Sequence, residues 1–335
     1  MPFTKNFRTP AQLTAAARAA YRAHVEQYTT NALLPSENNF TLDYTFGASS
    51  ELLPAAASFR SFNTESEVGT FDGAASKKGA LPPISIRTPV DEYQQLKMYN
   101  QPEAIAAAFE KRAIRNAQAV GSRVVLAQAE AIADGKVTID ERGISTVIDF
   151  GRNAAQTATA GTPWSTVATA TPVGDLEAMR AAMGRSLGRV IVSEQVATYL
   201  QRNVDIIKLA LGRGSDLPSR ISWEDVRTVF RDYRLGEVEV NDEKVVNRAG
   251  VEVPIFDAGK VVVLAGSQVG TTQLGVTAEA YESDNGIGQG EAAAGLFSGA
   301  MQSDDPVGYN VLVSGIVLPV ATATDLTASL SVLGN

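Results

Sequence analysis

The longest apolar periodicity in the chain lies between Asn100 and Gly135. Ile105, Phe109, Ala113, Ala117, Val120, Val124, Ala127 and Ala131 recur at steps of three and four and form one stripe. The spacing predicts a single long helix, with Pro102 at a first helical position, Glu103 beside the positive helix start and Gly135 as a left-handed stop. At a rise of 1.5 Å per residue such a rod spans roughly 45–50 Å, far beyond the ~11–12 residues of an ordinary helix. The stripe is rich in alanine and keeps no heptad, which argues against a coiled coil. Alanine allows close approach, so a sheet lying along the rod is expected; an oversized core helix of an α/β protein is the plainer alternative.

Before the rod, residues 10–28 read as an amphipathic helix with Leu13, Ala17, Ala20, Tyr21 and Val25 on one face, and with His24 exposed. From Ser49 to Glu92 the pattern alternates instead. Ser58–Phe62, Glu67–Phe71 and Ile84–Arg87 read as strands, and Asp72–Gly79 as a polar tip. This hairpin-like excursion has too little apolar surface to stand alone, so it must lie on the rest of the subunit or on a neighbour. Phe59, Phe62, Phe71, Lys77, Lys78 and Arg87 are therefore candidates for subunit contact.

After the rod, Lys136–Ile139 and Ile144–Phe150 read as a hairpin turning at Asp140–Gly143. Residues from Thr171 to about Asp305 read as a compact mixed domain. Its helices start at Asp175, Ser193 and Ser222, and its strands lie at Arg189–Val192, Glu237–Val240, Val251–Phe256 and Val261–Leu264. Gly286–Gly299 is glycine- and alanine-rich, with little to hold it in place except neighbours, and Tyr309–Val320 reads as a long apolar strand able to sit between others or under the rod.

Composition narrows the classes. The chain has 335 residues, 44% hydrophobic and 20% charged, enough for two domains or one with large excursions. No apolar run suits a membrane span, and no signal-peptide core opens the sequence. The absence of cysteine excludes disulfides, thiolate nucleophiles and Cys-based metal sites. The net charge of −8 is unevenly placed: no Lys or Arg follows Lys260, whereas Lys5, Arg8, Arg18 and Arg22 face only Glu26 in the first 28 residues. An acidic chain is poorly suited to coating nucleic acid tightly.

Candidate chemistry is sparse. With His24 as the sole histidine, a serine triad lacks its base. Gly212–Ser215 lacks the spacing and lysine of a phosphate loop, and Gly286–Gly290 departs from the dinucleotide fingerprint. Asp304–Asp305 reads as solvated rather than as a cation site, and Asn39-Phe40-Thr41 is a glycosylation sequon by pattern only. No catalytic, cofactor-binding or metal-ligating residue is therefore assigned. What remains is a basic arm, an excursion, a rod, a compact domain and a return strand, several of which cannot bury themselves within one subunit. That combination points to an assembly component.

The order of these parts resembles the Hong Kong 97-type phage capsid fold, and the motifs resemble the lambda-type major capsid proteins, the phage capsid protein E family. The resemblance rests on Leu81-Pro82-Pro83-Ile84-Ser85-Ile86-Arg87 with Asp91-Glu92, and on the rod running into Gly135-Lys136-Val137-Thr138-Ile139. Val147–Arg152, Gly161–Ser165 and Asp305-Pro306 before the long strand complete it. It implies an α+β fold with an N-terminal arm (1–46), an extended loop (47–92), a peripheral domain (93–152 and 306–335) and an axial domain (153–305). The spine helix would run over about 102–134, with Ile105, Phe109, Val120 and Val124 as its core face, and Lys5, Arg8, Arg18 and Arg22 would form a luminal basic arm.

The resemblance further implies pentamers and hexamers closing an icosahedral shell around a packaged genome, in a virion assembled in the host cytoplasm. The implied partners are portal, a decoration or cement protein, DNA in weak luminal contact, and a scaffolding protein. The last is expected as a separate chain, because fewer than fifty residues precede the loop. Lys77 or Lys78, at the loop tip, would be the site of a covalent cross-link by analogy with the type member, but no acidic catalyst for it is identifiable. Deleting residues 1–28 is expected to impair assembly more than folding. A nanocompartment shell and a soluble α/β enzyme are the rival readings.

Overall fold

The computed structural model describes residues 3–47, 76–212, 217–288, 292–304 and 307–334. Helix α1 (Pro10–Val25) opens with a capping box in which Thr9 and Gln12 satisfy each other's backbone N–H groups. Then come α2 (Thr29–Leu33), β1 (Ser36–Asn38), β2 (Asp43–Gly47), β3 (Ser76–Ala80), β4 (Pro83–Val90) and α3 (Glu92–Lys97). The rod is α4 (Pro102–Asp134), 33 residues ended by Gly135 at φ 66°. Strands β5 (Lys136–Glu141) and β6 (Ile144–Asp149) follow as a hairpin, whose two turn residues, Arg142 and Gly143, both take positive φ. That backbone matches the twist of the flanking strands.

The remaining elements are β7 (Thr157–Thr159), α5 (Pro172–Met183), β8 (Arg189–Val192), α6 (Glu194–Arg202), α7 (Val204–Leu211), α8 (Trp223–Asp232), β9 (Glu237–Val240), β10 (Lys244–Val246), β11 (Glu252–Pro254) and β12 (Lys260–Leu264). The chain ends with β13 (Gly270–Leu274), α9 (Ala278–Tyr281), β14 (Phe297–Asp304), β15 (Val307–Ala321) and β16 (Thr327–Ser331).

Two sheets organise the subunit. In the first, β15 is central: Tyr309 lies opposite both Val90 of β4 and Gln302 of β14, so those strands flank it on either side. Ile316 O accepts from Gly275 N, while Val317 N, on the same peptide unit, donates to Pro82 O. A trans peptide points these two groups in opposite directions, so β13 lies on the β14 side of β15. β1 then adds parallel to β13. In the second sheet the order is β7-β16-β12-β8-β9.

Helices α1 and α4 cover the first sheet, and α5 to α8 cover the second. Strand β12 is buried on both faces. Val261 and Val263 join the core under α5–α8, whereas Val262 and Leu264 join the core around α4. Buried amides fix the rod on the first sheet. Asn116 Nδ2 donates to Val311 O at 3.0 Å, and its Oδ1 accepts from Thr88. The rod is tied to the second sheet by Lys260, whose Nζ lies 2.6 Å from Asp134 Oδ1, and by Arg152, which bonds Ile132 O, Thr157 and Ser329.

Several elements differ from the sequence expectation. The sheets draw on both expected units: β13 and β14, from the stretch expected to be axial, pair in the first sheet with β15, and β16, from the stretch expected to be peripheral, pairs in the second. Residues 83–90 are a strand of the first sheet rather than part of an excursion. The last three residues of Gly286–Gly299 open β14. Lys77 and Lys78 do not sit at a tip; they lie in β3, opposite Phe46 and Thr45 of β2. His24 is half-buried, with Nε2 2.9 Å from Ser122 Oγ.

Candidate assembly surface

The arm residues divide by environment. Lys5 and Arg22 are exposed. Arg8 lies 3.8 Å from carboxylate oxygens of both Glu103 and Glu110 on the rod. Arg18 is spent inside the subunit: its Nε donates to Leu296 O and its Nη1 to Ala292 O, both at 2.7 Å. Burial pulls this guanidinium below the ordinary arginine range. Of the four expected arm cations, Arg8 and Arg18 are thus engaged within the subunit. Helix α1 is a structural layer, with Leu13, Ala17, Tyr21 and Val25 buried against the rod and β14.

On the rod, Ile105, Phe109, Val120 and Val124 are all buried. The Phe109 ring packs edge-on against Phe7 and Tyr309, with centroids 5.8 and 5.2 Å apart. Arg87 is exposed on β4, and Lys78 is exposed on β3. Phe59, Phe62 and Phe71, with the strands expected around them, lie outside the described residues.

The structure adds apolar groups that the sequence patterns did not flag. Helix α3 buries none of its residues, and Tyr93, Leu96 and Tyr99 are 66–74% exposed. The β5–β6 hairpin presents Ile144 and Val147 outward, Val147 at 58% exposure. A two-stranded hairpin is marginal in water, and β2 and β3 likewise pair only with each other. These elements leave a completed core yet keep uncovered apolar side chains, which marks interaction surface. Only the three-dimensional pairing reveals them, because α3 has no apolar stripe facing its own subunit.

Among the described residues no group of His, Asp or Glu side chains could hold a metal ion, and no helix is long and apolar enough to cross a membrane. Arg152 lies at the junction of rod and second sheet, where burial lowers its pKa against the opposing charge of Asp134.

A long rod across a sheet, a second sheet with its own helices at one end of the rod, and elements left uncovered define a capsid subunit of the Hong Kong 97 type. The chain is similar to the putative capsid protein of a prophage of E. coli CFT073, with a TM-score of 0.59 and 15% identity over 94% of this chain and 98% of that one. It belongs to the phage major capsid protein E family, which matches residues 9–332, and it is accordingly a shell protein of a phage capsid. Similarity extends to a phage-related protein of Bordetella bronchiseptica RB50 (TM-score 0.48, 12% identity, covering 93% of this chain and 96% of that one). It extends also to the holo-SrpI encapsulin complex of Synechococcus elongatus PCC 7942 (TM-score 0.43, 13% identity, covering 90% and 85%). No curated protein matches the chain.

Proposed function

We propose that this subunit assembles, as pentamers and hexamers, into an icosahedral shell that encloses a packaged genome, and that its role is structural rather than catalytic. The observation that carries this reading is the contrast between a finished core and unfinished elements. Phe109 and Trp164 are buried within the subunit, while α3 and the β5–β6 hairpin hold exposed apolar groups of the kind that contact another chain.

In this reading the unit built on the first sheet and the rod is peripheral, and the unit built on the second sheet, with α5 to α8, surrounds the symmetry axes. Scaffolding is supplied by a separate chain in the host cytoplasm, with portal and a decoration protein as further partners. Lys5 and Arg22, the exposed cations of the N-terminal segment, meet scaffold or DNA in the lumen.

The test is assembly itself. The purified chain, alone and with a candidate scaffold, is examined by sedimentation velocity and electron microscopy. Rings and closed shells of uniform diameter are the expected result. A stable monomer that binds a small ligand would overturn the reading.

A further inference from the structure

Two surfaces of opposite charge stand on opposite sides of β15, and neither finds its counterpart within its own subunit. On the β4 side, α3, β4 and α4 enclose a groove of about 430 Å³ whose cations are Lys97, Lys111, Arg112 and Arg115. Arg112 is held by Pro89 O, Ala108 O and Gln94, and is offset by Asp91, the α3 cap. Lys97, Lys111 and Arg115 make no ion pair among the described residues. On the other flank of α3, Leu96 and Tyr99 line an apolar groove with Phe7 and Ile105. The site thus offers cations on one side of a short helix and apolar surface on the other.

The opposite side carries the complement. Between β13 and β14 the chain leaves the sheet through a neck closed by Gly295 N donating to Gly275 O. It carries Glu279, Tyr281, Glu282 and Asp284 in a segment with no cation after Lys260. Its acidic part, residues 277–285, is internally braced: Thr277 caps α9, and the buried Asn285 donates to Glu279 O at 2.7 Å. Tyr281 is 78% exposed, and Glu282 and Asp284 are exposed without ion pairs among the described residues.

We propose that the knob of one subunit seats across α3 of a second copy, its carboxylates on Lys97, Lys111 and Arg115 and its Tyr281 against Leu96 and Tyr99. The inference rests on the shell reading above and names one contact that builds the shell. Because knob and groove lie on opposite sides of the sheet, the contact is heterologous, the kind that propagates into rings. Apolar surface beside the cations favours a folded acidic partner over a phosphate backbone. Exposed ion pairs are individually weak, so this contact acts by number, steers encounter and weakens with salt.

Charge reversal tests it. The variant chains are Lys97→Glu with Lys111→Glu in the groove, Glu282→Lys with Asp284→Lys in the knob, and all four together. These positions are exposed, and circular dichroism and thermal melts verify that each variant folds as the wild type does. Each two-site variant is expected to raise the concentration for half-assembly by roughly tenfold, the effect of losing several weak charge pairs. The four-site variant should return most of that loss. Normal assembly of either two-site variant, or no recovery in the four-site variant, would overturn the contact. So would a groove variant that loses only affinity for duplex DNA, which would give the groove to the genome instead. A wild-type chain that never oligomerises would overturn the shell reading and this contact with it, whereas variant-specific results bear on the contact alone.

Discussion

Gln128 Nε2 donates to Thr272 Oγ1 at 2.8 Å in the middle of an otherwise apolar core. The same amide nitrogen reaches Leu34 O, and Gln128 Oε1 accepts from Thr30 Oγ1 at 2.9 Å. One rod residue thereby fixes α2, the chain entering β1, and β13. Together with Asn116, twelve positions earlier on the rod, it pins the helix to one register on the first sheet. Apolar packing alone tolerates sliding, whereas buried hydrogen-bonding groups do not.

Replacing Gln128 with Leu should therefore destabilise the unassembled subunit by about 1–3 kcal/mol, the cost of orphaning a buried donor. Thr30 is the group left unsatisfied, since Thr272 Oγ1 still donates to Leu34 O. Adding Thr30→Val should recover part of the loss. Urea unfolding of the single and double variants measures both values, and strict additivity would refute the coupling.

Phe109 and Val147 should separate folding from assembly. Phe109 is wholly buried between Phe7 and Tyr309, so Phe109→Ala should cost about 3–5 kcal/mol and Phe109→Asp should prevent soluble folding. Val147→Asp lies on an exposed hairpin and should leave subunit stability within about 0.5 kcal/mol of the parent. It should nevertheless reduce shell yield. Solubility, thermal melts and particle counts by electron microscopy distinguish the two outcomes.

Removal of residues 1–28 should damage folding before it affects any scaffold contact. The deletion strips Leu13, Ala17, Tyr21 and Val25 from the rod and removes the Arg18 clamp on the neck before β14. A shorter deletion ending at Lys5 spares these contacts and loses only Phe3 against Phe297 and the Thr4 N–H bond to Ala300 O, so it should lower the melting temperature far less. A soluble, cooperatively melting 1–28 deletion would contradict the role given to α1.

His24 supplies a pH dependence that one residue can explain, because the chain has no other histidine. Burial against Ser122 and Tyr28 lowers its pKa below the ordinary 6.5. The unfolded chain therefore takes up a proton at a higher pH than the folded one. The resulting stability is fully present above pH 6.5 and is lost as pH falls through the folded value. His24→Gln should flatten the dependence of the urea midpoint in that window.

The rod was legible in the sequence because everything that defines it is local: Pro102, a stripe at helical spacing, and Gly135 as the stop. The β5–β6 hairpin was legible for the same reason. Strand β14 was not, because its small residues gain strand geometry only from β15 and from close neighbours. A Cβ at Gly299 would meet the Phe3 ring at 2.5 Å. Lys77 and Lys78 were misplaced because their partner strand, β2, lies some thirty residues earlier. The basic groove was equally invisible, since α3, β4 and α4 each contribute only part of it.

Gly135 tests the join between rod and second sheet most directly. Its φ of 66° is the left-handed conformation, and a Cβ built there would stand 2.8 Å from Arg152 Cβ. Gly135→Ala therefore carries two costs, about 1–2 kcal/mol of backbone strain and the displacement of Arg152. Arg152 bonds Ile132 O on the rod and Ser329 on β16, so moving it loosens the grip of the second sheet on the rod. Arg152→Met should reproduce that loosening with the backbone intact. Hydrogen exchange should then quicken at β16 and at the last turn of α4 in both variants, and more in Gly135→Ala. Unchanged exchange in Arg152→Met would show that the two units are held by β12 packing and the Lys260–Asp134 pair alone.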